Sequence, residues 1–140
     1  MRGFSKFAFR HAELGPDEIA FIRERDSFYM ASINETGWPY IQHRGGPKGF
    51  VRVIDARTIA FADLRGNRQY ISVSNVQHDD RVALIFVDYP NRARLKVLAR
   101  AKLLSAELPA ERIFVLSIEA IDWNCSQHIT PRFTIEEMDA

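Results

Sequence analysis

The stretch from Arg94 to Leu103 alternates more cleanly than any other part of the chain. Leu95, Val97, Ala99, Ala101 and Leu103 fall on one side. Arg94, Lys96, Arg100 and Lys102 fall on the other, with Leu98 among them. Successive side chains of an extended strand point to opposite faces. This pattern therefore predicts a long strand with one core face and one wet or partner-facing face. Similar signals recur. Phe28 to Ile33 reads as a strand, Asn34 to Gly37 as a turn, and Trp38 to Gln42 as the return. Phe50 to Ile54 and Thr58 to Ala62 form another pair around Asp55-Ala56-Arg57. The apolar run Val82 to Val87, flanked by turn signals, reads as a buried strand. Phe114, Leu116, Ile118 and Ala120 alternate along a last one.

Helical signals are few. Gly15-Pro16-Asp17-Glu18 opens a helix, since proline fits the first helical position and acids suit the positive end of the dipole. That helix ends in Arg23 to Asp26. A short helix is expected from Asn67 to Val76, and a helical turn at Pro109 to Arg112. So few helices cannot cover both faces of a parallel sheet. The chain is expected to be mainly β, a small closed antiparallel barrel with peripheral helices.

Composition narrows the function classes. A chain of 140 residues, 46% hydrophobic and 26% charged, suits one domain spanning 1–140 with a buried core. Lys plus Arg total 19 against 18 acids, a net charge of +1, which argues against nucleic-acid binding by bulk charge. The single cysteine, Cys125, excludes an intrachain disulfide and points to a reducing compartment. The start of the chain has no secretory pattern. The longest apolar run falls far short of the roughly 20 residues a bilayer span requires. A soluble, cytoplasmic protein is expected.

Three segments carry candidate chemistry. In Gln42-His43-Arg44-Gly45-Gly46-Pro47-Lys48-Gly49-Phe50 the glycines would let a flat ligand approach the main chain. Arg44 and Lys48 add charge, and Gln42 adds a two-way hydrogen-bonding group. A flexible hairpin loop with solvated basic residues reads equally from this composition. Asp63-Leu64-Arg65-Gly66-Asn67-Arg68-Gln69 leaves a strand and enters a helix. Free N–H groups at the helix start, with Arg65 and Arg68, suit a phosphate. An ordinary turn capped by Asn67 is the alternative. Neither a P-loop nor a dinucleotide fingerprint is present, so a mononucleotide phosphate fits better.

The third segment runs from Asp122 to Arg132. Trp123 could stack on a ring and Arg132 could meet an anionic edge. Cys125 and His128 are too few to form a metal site, and a structural cysteine is a commoner reading than a nucleophile. Asp79-Asp80 and Glu136-Glu137 read as solvated caps or tail residues. No G-x-S-x-G elbow marks a serine hydrolase.

Together the three segments resemble the pyridoxamine 5'-phosphate oxidase-like family of FMN-binding split barrels, from about Phe28 to Arg132. The strings Gln42 to Phe50 and Asp122 to Arg132 are similar to those of a small flavin-nucleotide-binding subgroup. The resemblance implies an antiparallel, Greek-key-like, six-stranded split barrel, and a homodimer holding FMN in the groove between two barrels. The family's phosphate-holding Gly-Ser-Arg-Lys falls on Gly66-Asn67-Arg68-Gln69, after the strand end Ala62-Asp63. Arg68 is kept, while Asn67 and Gln69 replace serine and lysine. Arg65, Arg52 or Lys48 would supply the missing charge. The strand past the flavin ring matches Pro47 to Arg52, which contains Lys48, Gly49, Phe50 and Val51, with arginine at the family's lysine position. The partner subunit's polar residue matches Arg94, and the late tryptophan and arginine match Trp123 and Arg132.

The vitamin B6 oxidases carry Arg-x-His before that last arginine to grip their substrate. Here the positions read His128-Ile129-Thr130, which argues against pyridoxamine phosphate as substrate. The resemblance thus implies an FMN-dependent oxidoreductase of unknown substrate, with NAD(P)H a candidate electron donor. Arg44, Arg94 and Arg132 would favour the anionic reduced flavin. A non-enzymatic flavin carrier or sensor is the alternative. A deazaflavin or haem, ligands of other split barrels, stays open, and no protein group is assigned as catalytic.

Overall fold

The computed structural model describes residues 13–64, 70–105, 110–125 and 133–139. In chain order these form α1 (Pro16–Arg23), β1 (Ser27–Ile33), β2 (Pro39–Gly45), β3 (Arg52–Asp55), β4 (Thr58–Leu64), α2 (Tyr70–His78), β5 (Arg81–Asp88), β6 (Ala93–Ser105), β7 (Ala110–Cys125) and α3 (Ile135–Asp139). Every strand pairing is antiparallel, in the order β2-β1-β5-β6-β7-β4-β3. The resemblance implies six strands and the sheet has seven. Each of the seven extended segments marked by the sequence pattern overlaps one of them, but the strand expected from Phe50, and along Pro47 to Arg52, starts only at Arg52, because Phe50 N–H closes a turn onto Pro47 O at 2.9 Å.

The alternation of β6 is realised as read, with Leu95, Val97, Ala99 and Ala101 buried. Phe28, Phe61, Phe86 and Phe114 are fully buried, each removal from water contributing roughly 1.5–3 kcal/mol. They bring distant strands together. Phe28 of β1 lies 5.1 Å from Phe61 of β4 and 5.2 Å from Phe86 of β5, and Phe61 stacks on Phe114 of β7 at 4.9 Å. The margins β2 and β3 share no ladder, yet Arg44 of β2 reaches across to Asp63 of β4 at 3.7 Å. The curled sheet therefore closes through side chains on that side, a split barrel. No helix among the described residues is long and apolar enough to cross a membrane.

Helix α2 carries the chain from β4 to β5 and is pinned by polar groups as well as by Val73 and Val76. The Ser72 hydroxyl donates to Gln42 Oε1 at 2.6 Å, and Asn75 Nδ2 donates to Ser32 Oγ at 3.0 Å. Ser32, Ser72 and Asn75 are all buried, so these bonds avoid the cost of unpaired polar groups.

The structure corrects several local expectations. The segment beginning at Gln42 is not wholly a loop: β2 continues through Gly45, because Gln42, His43 and Arg44 pair with Met30, Tyr29 and Phe28. Past it, Gly46 N–H donates to Asp26 O and Gly49 N–H to Arg25 O, at 3.0 and 3.1 Å, which ties the loop to the α1–β1 turn. The helical turn expected at Pro109 to Arg112 is strand from Ala110 onward. Arg112 pairs with Asp63 on one side and Ser105 on the other, and two-sided pairing outweighs the local proline signal. Of the expected helix at Asn67 to Val76, residues 67–69 lie outside the described residues; the described part is helical and extends past Val76 to His78. Glu136 and Glu137 open α3, where Glu137 Oε1 accepts from Thr134 N–H at 2.8 Å.

Candidate functional site

Strand β4 alternates with the pleat. Ile59, Phe61 and Asp63 are buried inward, leaving Thr58, Ala60 and Ala62 on the opposite face. Register places Arg52 of β3 beside Ala60, and Ile113 of β7 beside Ala62. The middle of this face carries only methyl groups. Larger neighbours, Ile54, Leu104, Ile113 and Val115, stand around it. The result is a cavity of about 670 Å³. Gly45, Gly46, Pro47 and Phe50 also line it. Arg52 is the one charged side chain among its described lining residues. This volume lies within the roughly 300–1,000 Å³ of small-molecule sites.

The glycine segment builds part of this wall for steric reasons. A Cβ on Gly46 would lie 2.8 Å from Phe50 Cγ, and Gly49 has φ +80° with its would-be Cβ 3.3 Å from Arg23 O. The loop can therefore follow this path only with glycine at those positions. Of the residues assigned to the cofactor, Gly45, Gly46, Phe50, Arg52 and Ala62 line this one cavity. Val51 is wholly buried in the core. Gly49 is the tether to α1, and Gln42 faces α2.

Arg44 points inward and is 4% exposed. Its guanidinium lies over Phe114 at 4.6 Å and Phe61 at 5.2 Å, and pairs with Asp63. Burial pulls its pKa down, and the negative charge of Asp63 partly offsets that. Arg112 approaches the other Asp63 oxygen at 3.9 Å. Arg44 Nε and Nη2 are buried without an acceptor among the described residues, and so is Arg94 Nε. Two of the sequence-assigned cations therefore hold spare donors.

Trp123 and Arg94 lie elsewhere. Trp123 packs edge-on against Phe21 of α1 at 4.8 Å, and its indole N–H donates to Glu18 Oε2 at 2.5 Å. Arg25 lies 4.5 Å over the same Phe21 ring and pairs with Asp88 at 3.6 Å. Arg94 is opposite Val87 on one side and Asn124 on the other. Lys48 lines a second, polar cavity of about 510 Å³ beside Arg25, Asp88 and Asn91. Neither Arg94 nor Trp123 lines the apolar cavity of its own chain. Asn67, Arg68, Gln69 and Arg132 lie outside the described residues.

Sequence reasoning missed Thr58, Ala60, Ile54, Leu104, Ile113 and Val115 as lining residues. One signal was available: Ala60 and Ala62 are small residues on the non-core phase of a strand.

The sequence signature of pyridoxamine 5'-phosphate oxidase matches residues 16–135. The chain belongs to the pyridoxamine 5'-phosphate oxidase family. Solved structures share the fold of this family member. A candidate pyridoxamine 5'-phosphate oxidase from Lactobacillus delbrueckii superposes with a TM-score of 0.66 at 19% identity, over 82% of this chain and 98% of that one. An FMN-binding protein from Syntrophomonas wolfei gives 0.57 at 12% identity, over 75% and 84%. The heme storage protein HutZ from Vibrio cholerae gives 0.55 at 15% identity, over 76% and 90%. Such identities speak for the fold alone, and the last two names show that it serves more than one kind of ligand. No curated protein matches this family member's sequence.

Proposed function

We propose that this protein binds FMN and serves as an FMN-dependent oxidoreductase. The observation that carries this reading is the apolar cavity, lined by the small residues Gly45, Gly46, Ala60 and Ala62, with Arg52 among its lining residues. An isoalloxazine ring needs such a low-profile apolar wall. Its phosphate would lie toward the start of α2, whose N–H groups are donors, with Arg68 the cation that the resemblance assigns to it. The flavin would supply the redox chemistry, and the protein's part is to bind, orient and set the charge around it.

Arg94 and Trp123 stand apart from the cavity of their own chain, so they reach a flavin only from a second copy. The proposed unit is a homodimer in which each cavity is completed by the other chain's Arg94 and Trp123.

The test is a spectrum. Purified protein should show flavin bands that an NAD(P)H-type donor bleaches, and denaturation should release a molecule with the mass of FMN. Arg68→Ala should weaken FMN by about 2 kcal/mol, the scale of charge-assisted hydrogen bonds. Bands that no nicotinamide donor bleaches would favour a carrier or sensor. A Soret band would replace flavin by haem, and a colourless protein that ignores added FMN would end the proposal.

A further inference from the structure

Glu18 lies in the first turn of α1, and Trp123 near the end of β7. They are 105 residues apart in sequence, yet their side chains share a 2.5 Å hydrogen bond. The other carboxylate oxygen of Glu18 accepts the Gly15 N–H at 2.6 Å. That second bond anchors the acid to the backbone at the helix start and satisfies one of the helix's free N–H groups. The indole is then held on two sides, by Glu18 at its nitrogen and by the edge contact with Phe21. Phe21 is itself covered by Arg25.

We propose that Glu18 is a positioning residue of the cofactor site: it fixes the indole of Trp123 at the orientation in which that ring meets the flavin. The inference rests on the FMN reading above and extends the site to α1. A carboxylate suits the task because both neighbours are donors, and it accepts from each. A glutamine has one acceptor oxygen and must forgo either Gly15 or Trp123.

The experiment uses full-length protein in a Trp38→Phe background, so that Trp123 alone reports. Glu18→Gln should shift Trp123 emission in the absence of ligand. It should also partly relieve the quenching of bound FMN fluorescence and weaken FMN roughly 10-fold, on the scale of one lost hydrogen bond. In a Trp123→Phe background the same substitution should change FMN affinity and fluorescence no further, because the two residues act as a unit. If Glu18→Gln does not fold, Trp123→Phe tests the same bond from its other end and should reproduce the fluorescence gain. A wild-type protein that binds no FMN overturns the flavin reading and this inference with it. If wild-type binds FMN, two results overturn the positioning role alone: an unchanged signal in Glu18→Gln, or an equal loss when phenylalanine stands at 123.

Discussion

The apolar cavity and the indole corner are built by opposite means. The cavity follows from local pattern. Strand β4 places Phe61 in the core and Ala60 and Ala62 on its opposite face, and its neighbours β3 and β7 supply the rim. The corner follows from contacts between remote segments: Glu18 and Phe21 of α1, Arg25 behind them, and Trp123 from β7. The cavity has room and few polar groups. The corner has a positioned ring and fixed charges. In the proposed homodimer each is half of a ligand site, and the halves meet between two chains.

Substitutions can separate the halves. The largest effect is expected from Ala62→Trp, which fills the cavity from an exposed position. FMN affinity should fall at least about 100-fold, or about 2.7 kcal/mol, with Trp123 emission preserved in a Trp38→Phe background. Binding that survives would place the ligand elsewhere.

Arg44→Met probes what holds the cavity's floor to β2. It removes one partner of the buried Asp63, and losing one partner of a buried pair costs about 3–5 kcal/mol. Arg112 remains near Asp63, so about 3 kcal/mol is expected in urea unfolding. Replacing Asp63 by leucine as well should recover part of the loss.

Gly49 lies between the halves, with its N–H bonded to Arg25 O. Gly49→Ala meets both the positive φ and the Arg23 carbonyl and should cost about 1–2 kcal/mol. If the tether matters, this variant should disturb the wall and the corner together, visible as weaker FMN and shifted Trp123 emission.

The smallest effect should come from Asp79, remote from both. Side-chain and backbone hydrogen bonds from Arg81 hold its carboxyl well below the ordinary carboxylate value. A depressed folded-state pKa contributes stability above the unfolded value of about 3.9, and that stability is lost as pH falls through the folded value. Asp79→Asn should flatten only the acid end of the stability–pH curve, measured by urea midpoints, and leave FMN binding unchanged at neutral pH.

How much of this was legible in the sequence differs between the halves in the same way. The strand pattern gave all seven strands, because period-two alternation is local and β6 shows it almost without interruption. The glycine wall was legible as a run of residues without side chains; its packing reason, that a Cβ on Gly46 would meet Phe50, is visible only in the structure. Arg44 was read as a ligand-facing cation, but its inward direction depends on β2 continuing past Gln42, a matter of pairing with β1. Pro109 misled because a local helix-start signal says nothing about two neighbouring strands. Glu18 was read only as an acid at a helix start. Its bond to Trp123 spans 105 residues, and no local period encodes such a contact.

The two-chain site is tested most directly by complementation. One variant, Ala62→Trp, has a filled cavity and an intact corner. The other, Arg94→Ala with Trp123→Ala, has an intact cavity and no corner. Each alone should bind FMN weakly. Unfolded together and refolded as a mixture, they should regain wild-type affinity at one site per mixed dimer. A mixture that binds no better than its two components would contradict the account.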